Sequence, residues 1–318
     1  MPELPEVEVV RAGLEPAVTD ATVTGVEVLD ERSLRRHDGP VEDFIQRLIG
    51  ARFAAPQRRG KFLWIPVLDD GDPGRVSALA SRRRPEMVVA PSSSALVIHL
   101  GMSGQVLLLE RAAARDRLTR VVLEVRHPEH GPLRVDFVDQ RIFGSMALDH
   151  LLPTVDDPDQ WIPSQVAHIA RDPLDPRFDD RAFLAALGRK QTTIKRALLD
   201  QTLISGIGNI YADEALWAAR VHYEQPTATL RRARAVTLLA EVRLVLGRAL
   251  AEGGTSFDAQ YVNVNGASGY FSHSLNAYGR QGEPCPRCGR PIVRESFMNR
   301  GSHFCELCQK LRVARPLS

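Results

Sequence analysis

Residues 285–308 read CPRCGRPIVRESFMNRGSHFCELC and contain all four cysteines of this 318-residue chain. Two Cys-x-x-Cys pairs are present, Cys285 with Cys288 and Cys305 with Cys308, and 16 residues separate the pairs. Each pair is a turn that directs two thiolates the same way, and this spacing is typical of tetrahedral zinc. Because four protein ligands leave no open position for water, the sequence predicts one structural Zn²⁺ in a zinc finger spanning residues 280–318.

The composition excludes several classes of protein. Hydrophobic residues at 44% and charged residues at 25% are ordinary for a globular chain, and the net charge is only +2. The last 39 residues are more basic, with eight Lys and Arg against three Glu, which would favour contact with phosphates. Early acidic residues exclude a secretory signal, no apolar run suits a membrane, and clustered cysteines fit a reducing compartment. We therefore expect a cytoplasmic protein.

Hydrophobic periodicity divides the chain into a strand-rich and a helix-rich part. A first helix precedes the strands, which are predicted at 22–29, 61–68, 95–109, 120–126 and 133–138. Helices are predicted at 180–188, 193–200, 209–219 and 230–252. Few helices between the strands favour an antiparallel sheet.

The predicted fold class is α+β and multidomain. An N-terminal antiparallel β-sandwich with an N-terminal helix would occupy residues 1–150, interrupted by a surface insertion at about 69–94. A proline-rich linker at 151–179 would lead to a helical domain at 180–279. The zinc finger would follow.

The first six residues, MPELPE, offer a nucleophile. If Met1 is removed, as a small second residue permits, Pro2 becomes a secondary amine able to attack an electrophilic carbon. Glu3 and Glu6 would share one face of a helix beside that amine and could transfer protons. The alternative is an ordinary solvated terminus with proline in the first helical turn.

A glycine-rich turn, ISGIGNIY at 204–211, joins two predicted helices. Its glycines permit close backbone approach, and Asn209 would begin a helix whose free amides favour a phosphate. Lys195 on the preceding helix could reinforce that contact. A two-stranded ribbon between the cysteine pairs would present Arg300 and His303 outwards to a nucleic-acid groove. A helix cap or a solvated surface charge is the alternative for these residues.

Two loops of the strand-rich part carry side chains able to enter a base stack. The segment HLGMSG places Met102 between glycines, and the segment DQRIFG places Arg141 and Phe143 at a strand end. Such side chains can wedge between base pairs and fill the void left by an extruded nucleotide. Core packing is the alternative for Met102 and Phe143. Lys61 begins a strand and could bind a phosphate or donate a proton.

Together these motifs resemble the bacterial formamidopyrimidine-DNA glycosylases, the Fpg branch of the Fpg/Nei family. The resemblance spans nearly the whole chain, and the motifs keep the family's order: PELPEV, RRGK, HLGMSG, RIFG, GIGNIYADE, GGTS, GYFSHSLNAYGRQGEPC and the four-cysteine finger. PELPE rather than PEGPE favours the Fpg branch over the Nei branch. The resemblance implies a monomeric, bifunctional DNA glycosylase and AP lyase of base excision repair, acting on double-stranded DNA with oxidised purines or abasic sites.

The resemblance also implies roles for single residues. Pro2 would form a Schiff base with C1′ of the damaged nucleotide, and β,δ-elimination would then cleave the strand. Glu3 would protonate the ring oxygen, Glu6 would orient the amine, and Lys61 would hold the flanking phosphates. The void-filling residues would be Met102, Arg141 and Phe143, and the other DNA contacts would be His99, Lys195, Asn209 and Arg300. The helical domain would be a helix–two-turn–helix unit with a lesion-capping loop at about 258–272.

The chain departs from the family pattern in three places. The insertion at 69–94 stands where the family has a short turn. Gln140 and Ile142 replace a proline and a basic residue of the family's DPRRFG loop, so the basic side chain that could contact a neighbouring phosphate is missing. The capping loop is longer than the family's QSDGKPG-like version.

Two functions of other classes remain open. One is a zinc-finger protein that recognises damaged DNA without cutting it, which would need none of Pro2, Glu3, Glu6 and Lys61. The other is a tautomerase that uses an N-terminal proline on small keto acids, which would not need a zinc finger or a phosphate-binding turn.

Overall fold

The structure is a computed structural model that describes residues 2–68, 94–255, 264 and 271–312. The chain divides into two compact units. The first contains the described residues between 7 and 168, with Pro2 and Val264. The second contains Glu3–Glu6 and the other described residues from Ile169 onwards. Across these described ranges, no helix has both the length and the apolar character to cross a membrane.

An antiparallel sheet forms the body of the first unit, as predicted. Its strands are β1 (Thr22–Val28), β2 (Arg52–Phe53), β3 (Gln57–Arg59), β4 (Phe62–Leu68), β5 (Ser94–His99), β6 (Gly104–Glu110), β7 (Thr119–His127), β8 (Gly131–Asp139), β9 (Ser145–Pro153) and β10 (Trp161–Pro163). They pair in the order β10-β9-β5-β4-β2-β1-β7-β8-β6, and β3 pairs with β4.

Helix α1 (Leu4–Val18) supplies apolar residues to the core of the first unit. Val7, Val10 and Leu14, at helical spacing, are buried with the inward side chains of the sheet. A second helix, α2 (Val41–Leu48), adds Phe44 to the same core. The sequence prediction missed α2 because its eight residues are too few to establish a periodicity.

Four predicted segments differ from the structure or lie outside it. The strand predicted at 95–109 is two strands, because Gly101 takes a positive φ of 63° in the turn between β5 and β6. The proposed linker at 151–179 includes the end of β9, which pairs with β10. The proposed insertion at 69–94 and capping loop at 258–272 lie outside the described residues, except for Ser94, Val264, Phe271 and the backbone of residue 272.

The second unit is helical, and its helices lie where they were predicted. They are α3 (Asp180–Arg189), α4 (Ile194–Leu199), α5 (Asn209–Ala218) and α6 (Arg232–Ala251). Asp179 caps α3 by accepting hydrogen bonds from the amides of residues 181 and 182. Helix α5 is buried from Asn209 through Trp217 and therefore lies at the centre of this unit.

A two-stranded antiparallel ribbon completes the second unit. It consists of β11 (Val293–Phe297) and β12 (Arg300–Phe304). Met298 and Asn299 both have positive φ, as a tight two-residue hairpin turn requires. Phe297 and Phe304 join the helical core. The predicted ribbon of the zinc finger is confirmed.

Candidate active site and nucleic-acid interface

The Glu3 carboxylate is held by the glycine-rich turn at the start of α5. It accepts hydrogen bonds from the amides of Gly208 (2.5 Å), Ile210 (2.9 Å) and Tyr211 (3.4 Å), and Glu3 is only 1% exposed. A carboxylate at a helix N-terminus satisfies free amides and is favoured by the helix dipole. Pro2, which directly precedes it, is also buried. The turn predicted to bind an anion thus binds one from the chain itself.

Two glycines allow this close approach. A Cβ on Gly208 would lie 2.4 Å from the Glu3 carboxyl carbon, and a Cβ on Gly206 would lie 2.6 Å from Leu4 Cδ1. Gly206 also has a positive φ of 87°, which favours glycine, and its carbonyl accepts a hydrogen bond from Leu4 N. The glycines of the GIGN segment are therefore required by contacts with the N-terminal segment.

The Glu6 carboxylate occupies a second buried site. It accepts hydrogen bonds from the amide of Glu3 (2.8 Å), the hydroxyl of Tyr211 (2.5 Å) and both the amide and hydroxyl of Thr255 (2.7 and 2.9 Å). The bond to Glu3 N is the reciprocal half of a capping box at the start of α1. Burial and the Glu6 charge raise the pKa of Tyr211 well above its usual value, so Tyr211 remains a hydrogen-bond donor. Tyr211 and Thr255 were not predicted as site residues.

Gln201 supports the glycine-rich turn. Its side-chain amide donates to the carbonyls of Leu199 (3.0 Å) and Ile207 (2.9 Å), and its oxygen accepts from the amide of Gly206 (3.0 Å). No local pattern indicates this role, since a glutamine between helices is common on protein surfaces.

Lys195 does not lie at the surface, where its predicted phosphate contact would place it. Its ammonium group is fully buried and contacts Asp213 Oδ1 at 2.6 Å and Ser302 Oγ at 2.8 Å. Asp213 also accepts from the amide of His303 at 2.8 Å, and Asn209 Nδ2 donates to Gly301 O at 3.0 Å. Burial lowers the pKa of Lys195, whereas the Asp213 charge opposes that shift. Lys195 therefore pairs with the buried Asp213 carboxylate instead of facing solvent, because β12 packs on α5.

The outer end of the ribbon exposes Arg300. This residue follows the hairpin turn and is exposed, as predicted. His303 was predicted to point outwards too, and that was wrong: it is 6% exposed, and its ring nitrogen Nδ1 lies 3.2 Å from Asp213. The two residues differ because β12 turns one end towards α5 and leaves the other in solvent.

The four cysteines form the predicted metal site. The sulfurs of Cys285, Cys288, Cys305 and Cys308 all lie within 4.8 Å of one another. Zn–S bonds of ~2.3 Å in a tetrahedron place thiolates about 3.8 Å apart. The donor set and its spacing therefore fit one structural Zn²⁺. Trp217 and Ala277 pack against this cluster, and Arg287 stacks on the Trp217 ring at 3.8 Å from its centroid.

In the first unit, Lys61 and His99 belong to a basic cluster. Lys61 follows Gly60, whose positive φ forms the two-residue turn between β3 and β4. The His99 ring packs on Phe62 with centroids 4.7 Å apart, and the Arg36 guanidinium lies over the same ring. Burial, reinforced by the charges of Arg36, Arg35 and Lys61, lowers the pKa of His99 to about 4. Such a cluster favours an anion.

The predicted void-filling side chains are exposed on two loops of the first unit. Met102 is 41% exposed and Phe143 is 50% exposed, and Arg141 is also exposed. The alternative of core packing for Met102 and Phe143 is therefore wrong. Large apolar side chains on exposed loops are available to contact a partner.

Known proteins resemble this chain over almost its whole length. Family models match for the formamidopyrimidine-DNA glycosylase N-terminal domain (residues 1–146), its H2TH domain (169–260) and the zinc finger found in FPG and IleRS (282–311). A formamidopyrimidine-DNA glycosylase of Leifsonia xyli subsp. xyli is 62% identical, over 98% of this chain and 100% of that protein.

Solved structures of Fpg bound to DNA also resemble this chain. Lactococcus lactis Fpg in complex with DNA containing an abasic site superposes with a TM-score of 0.76 and 27% identity, covering 97% of this chain and 99% of that one. The wild-type Lactococcus lactis protein with DNA containing N7-benzyl-Fapy-dG superposes with a TM-score of 0.76 and 28% identity, covering 97% of this chain and 100% of that one. The chain therefore belongs to the formamidopyrimidine-DNA glycosylase family.

Proposed function

We propose that this protein excises oxidised purines, including 8-oxoguanine and formamidopyrimidines, from double-stranded DNA and cleaves the strand at the resulting abasic site. The observation that carries the proposal is the buried Glu3 carboxylate, held by three backbone amides directly after Pro2. A protein that only binds DNA does not need a desolvated carboxylate beside an imino terminus. The Fpg relatives, one of them solved with DNA containing N7-benzyl-Fapy-dG, support this substrate class.

The proposed chemistry begins when removal of Met1 frees the Pro2 nitrogen. That nitrogen bonds to C1′ as the bond from C1′ to the base breaks, and the base leaves with a proton. Glu3 delivers a proton to O4′, the C1′–O4′ bond breaks, and an iminium ion remains. Its positive charge acidifies the C2′ protons, so β-elimination expels the 3′-phosphate and δ-elimination expels the 5′-phosphate. Glu6 fixes the start of α1 through its bond to Glu3 N.

We assign the DNA contacts to side chains of both units. Lys61 and His99 would bind phosphates flanking the lesion, and Arg300 would bind another. Met102, Arg141 and Phe143 would fill the space left by the extruded base. For Lys195 and Asn209 we propose a positioning role, because both contact β12 next to Arg300.

We propose a catalytic domain at 1–150, a connecting segment at 151–179 that contains the end of β9 and β10, a helical domain at 180–279 and a zinc finger at 280–318. The bound Zn²⁺ would be structural and would stabilise the finger that presents Arg300. We expect a monomer in the cytoplasm, associated with the nucleoid through its substrate.

The test is a single-turnover reaction of the processed protein with a duplex carrying one 8-oxoguanine. We expect cleavage at the lesion only, with a phosphate on both ends of the gap. Glu3→Gln keeps the shape of the side chain but removes proton transfer, and should slow the reaction by about 100-fold. Tight binding of the lesion by the wild type without any cleavage would contradict the proposal.

The matched control is Glu15→Gln on the same helix. Its carboxylate is 46% exposed and pairs with Arg11 at the surface. Because Glu15 touches neither the glycine-rich turn nor any residue proposed to bind DNA, we expect the wild-type rate.

A further inference from the structure

We propose that Arg35, Asp139 and Ser103 form a clamp that fixes the void-filling side chains in one arrangement before DNA binds. The two loops concerned are the methionine loop (residues 100–103), which carries Met102, and the arginine loop (residues 140–144). This inference rests on the proposed function, because it assigns positioning residues to the extrusion step of that reaction.

Asp139 joins the two loops through one carboxylate. It is the last residue of β8 and is fully buried. Oδ1 accepts from the hydroxyl of Ser103 at 2.6 Å and from the amide of Arg141 at 3.1 Å, while Oδ2 accepts from the amide of Gly144 at 2.7 Å. Ser103 belongs to the methionine loop, whereas the two amides belong to the arginine loop. Movement of either loop would therefore break bonds to a buried charge.

Arg35 holds the arginine loop by its carbonyl groups. Its guanidinium donates to the oxygens of Ile142 (3.0 Å), Phe143 (2.5 Å) and Gly144 (2.7 Å). The rigid fork of donors on arginine suits several acceptors at once, and a charged donor strengthens each bond. Amides of the loop are thus bound by Asp139, and three successive carbonyls are bound by Arg35.

The backbones of the two loops also touch directly. A Cβ on Gly101 would lie 2.3 Å from both the carbonyl carbon and the oxygen of Phe143. No side chain larger than glycine's hydrogen fits between the loops without moving one of them. Met102 and Phe143 are therefore displayed by loops in van der Waals contact.

The arginine loop contains a residue in an unfavourable backbone conformation. Ile142 has a φ of 55°, in the left-handed region that β-branched side chains rarely adopt. A strained residue persists only where its surroundings determine the conformation, and strain of this kind clusters at functional sites. The bond from Arg35 to the Ile142 carbonyl and the bonds of Asp139 on either side supply that constraint.

The void-filling side chains of Met102, Arg141 and Phe143 form a wedge, and a wedge that is already fixed lowers the free-energy cost of base extrusion. Side chains that are already ordered lose little conformational freedom when they enter the duplex, so binding energy remains available for unstacking the base. An abasic nucleotide has no base to extrude, and its cleavage should depend less on the wedge. We therefore expect the clamp to increase the rate of base excision and to have little effect on the rate of strand cleavage at an abasic site.

The test compares these two reactions under single-turnover conditions. Arg35→Met keeps the side-chain stem and removes the donors to the loop. We expect excision of 8-oxoguanine to slow by about tenfold and cleavage of the same duplex with an abasic site to change less than about twofold. An equal loss in both reactions would overturn the proposal. Arg32→Ala is the matched control: it lies in the short 3-10 helix (Glu31–Leu34) that directly precedes Arg35, is 73% exposed, pairs with Asp30 at the surface and should leave both rates unchanged.

A second variant tests whether the clamp acts through the wedge. In a Phe143→Ala background, Arg35→Met should slow excision by less than about twofold, because residues acting as a unit are not additive. A further tenfold loss would show that Arg35 acts elsewhere.

Amide hydrogen exchange of the DNA-free protein tests the clamp without reference to activity. The amides of Arg141 and Gly144 should be protected in the wild type and lose protection in Asp139→Asn and Arg35→Met. Rapid exchange of both amides in the wild type would contradict the proposal that Arg35 and Asp139 fix the arginine loop. Failure of the wild type to excise any base would instead count against the proposed function.

Discussion

Glu3 and Glu6 have different environments although only two residues separate them. Glu3 is bound by backbone amides of the α5 turn, whereas Glu6 is bound by the hydroxyls of Tyr211 and Thr255 together with two amides. Backbone amides hold a charge without side-chain motion, so the position of Glu3 is fixed by the fold itself. Glu6 instead secures the first turn of α1. The proton-transfer role therefore suits Glu3 better.

Gly208→Ala should disable Glu3 while preserving the fold. The backbone at Gly208 is extended, so alanine is tolerated, but its Cβ would lie 2.4 Å from the Glu3 carboxyl carbon. Displacing this carboxylate should slow excision by about 100-fold in single-turnover assays. Gly188→Ala on α3, where a Cβ meets nothing within 4 Å, should keep the rate and stabilise the helix by about 0.5–1 kcal/mol. A wild-type rate for Gly208→Ala would contradict the assignment of Glu3.

His99 should remain neutral at pH 7 in the free protein. Burial, reinforced by Arg36, Arg35 and Lys61, lowers its pKa from 6.5 to about 4. Because the folded pKa lies below the unfolded one, protons favour the unfolded chain, and this residue reduces stability as the pH falls from 6.5 towards about 4. NMR of ¹⁵N-histidine, assigned with His99→Gln, should show a neutral ring down to about pH 5, one unit above that pKa. A midpoint near 6.5 would contradict the burial and charge that the structure gives this ring.

At the scale of elements, helix α5 connects the glycine-rich turn to the zinc finger. Its first residue, Asn209, and Asp213 one turn later face β12 and bind the backbone at Gly301 and His303. Lys195 on α4 completes this network by pairing with Asp213. Arg300 directly precedes Gly301 in the ribbon, so its position depends on α4 and α5.

Lys195→Met should therefore destabilise the second unit strongly. Removing the ammonium group leaves the Asp213 carboxylate buried without its charge partner, which costs about 3–5 kcal/mol. Denaturant unfolding of the zinc-loaded protein measures this loss. Lys190→Met is the control, because that lysine is 39% exposed in its pair with Asp200 and should cost less than about 1 kcal/mol. Equal losses of unfolding free energy in the two variants would show that the buried pair of Lys195 and Asp213 contributes no more to stability than the exposed pair.

The same elements show how far sequence reasoning reaches. The GIGN segment predicted a turn open to close approach, yet the group that approaches is Glu3, 205 positions away. No local pattern carries a contact of that separation. Likewise Lys195 suggested a surface charge, since lysine is seldom fully buried unless it is paired. Its partner Asp213 is supplied only by packing of the helices against the ribbon.

At the scale of the molecule, motif order predicted the arrangement of sheet, helices and finger well. The helices of the second unit begin and end within about two residues of their predicted positions, because caps and glycines mark them locally. Helix α2 and strands β2, β3, β9 and β10 were missed, and all of them except β9 are short segments that carry too little periodicity. The cysteine spacing alone was enough to predict the metal cluster.

The central claim is that the Pro2 nitrogen becomes bonded to C1′ of the damaged nucleotide. Borohydride reduces such an iminium to a stable amine, so the processed protein should be trapped on an 8-oxoguanine duplex. Mass spectrometry of the digested complex should then locate the sugar on the peptide that begins with Pro2. Pro2→Gly and a form retaining Met1 should give no adduct. An adduct on a lysine, or equal trapping of the Met1 form, would contradict the account.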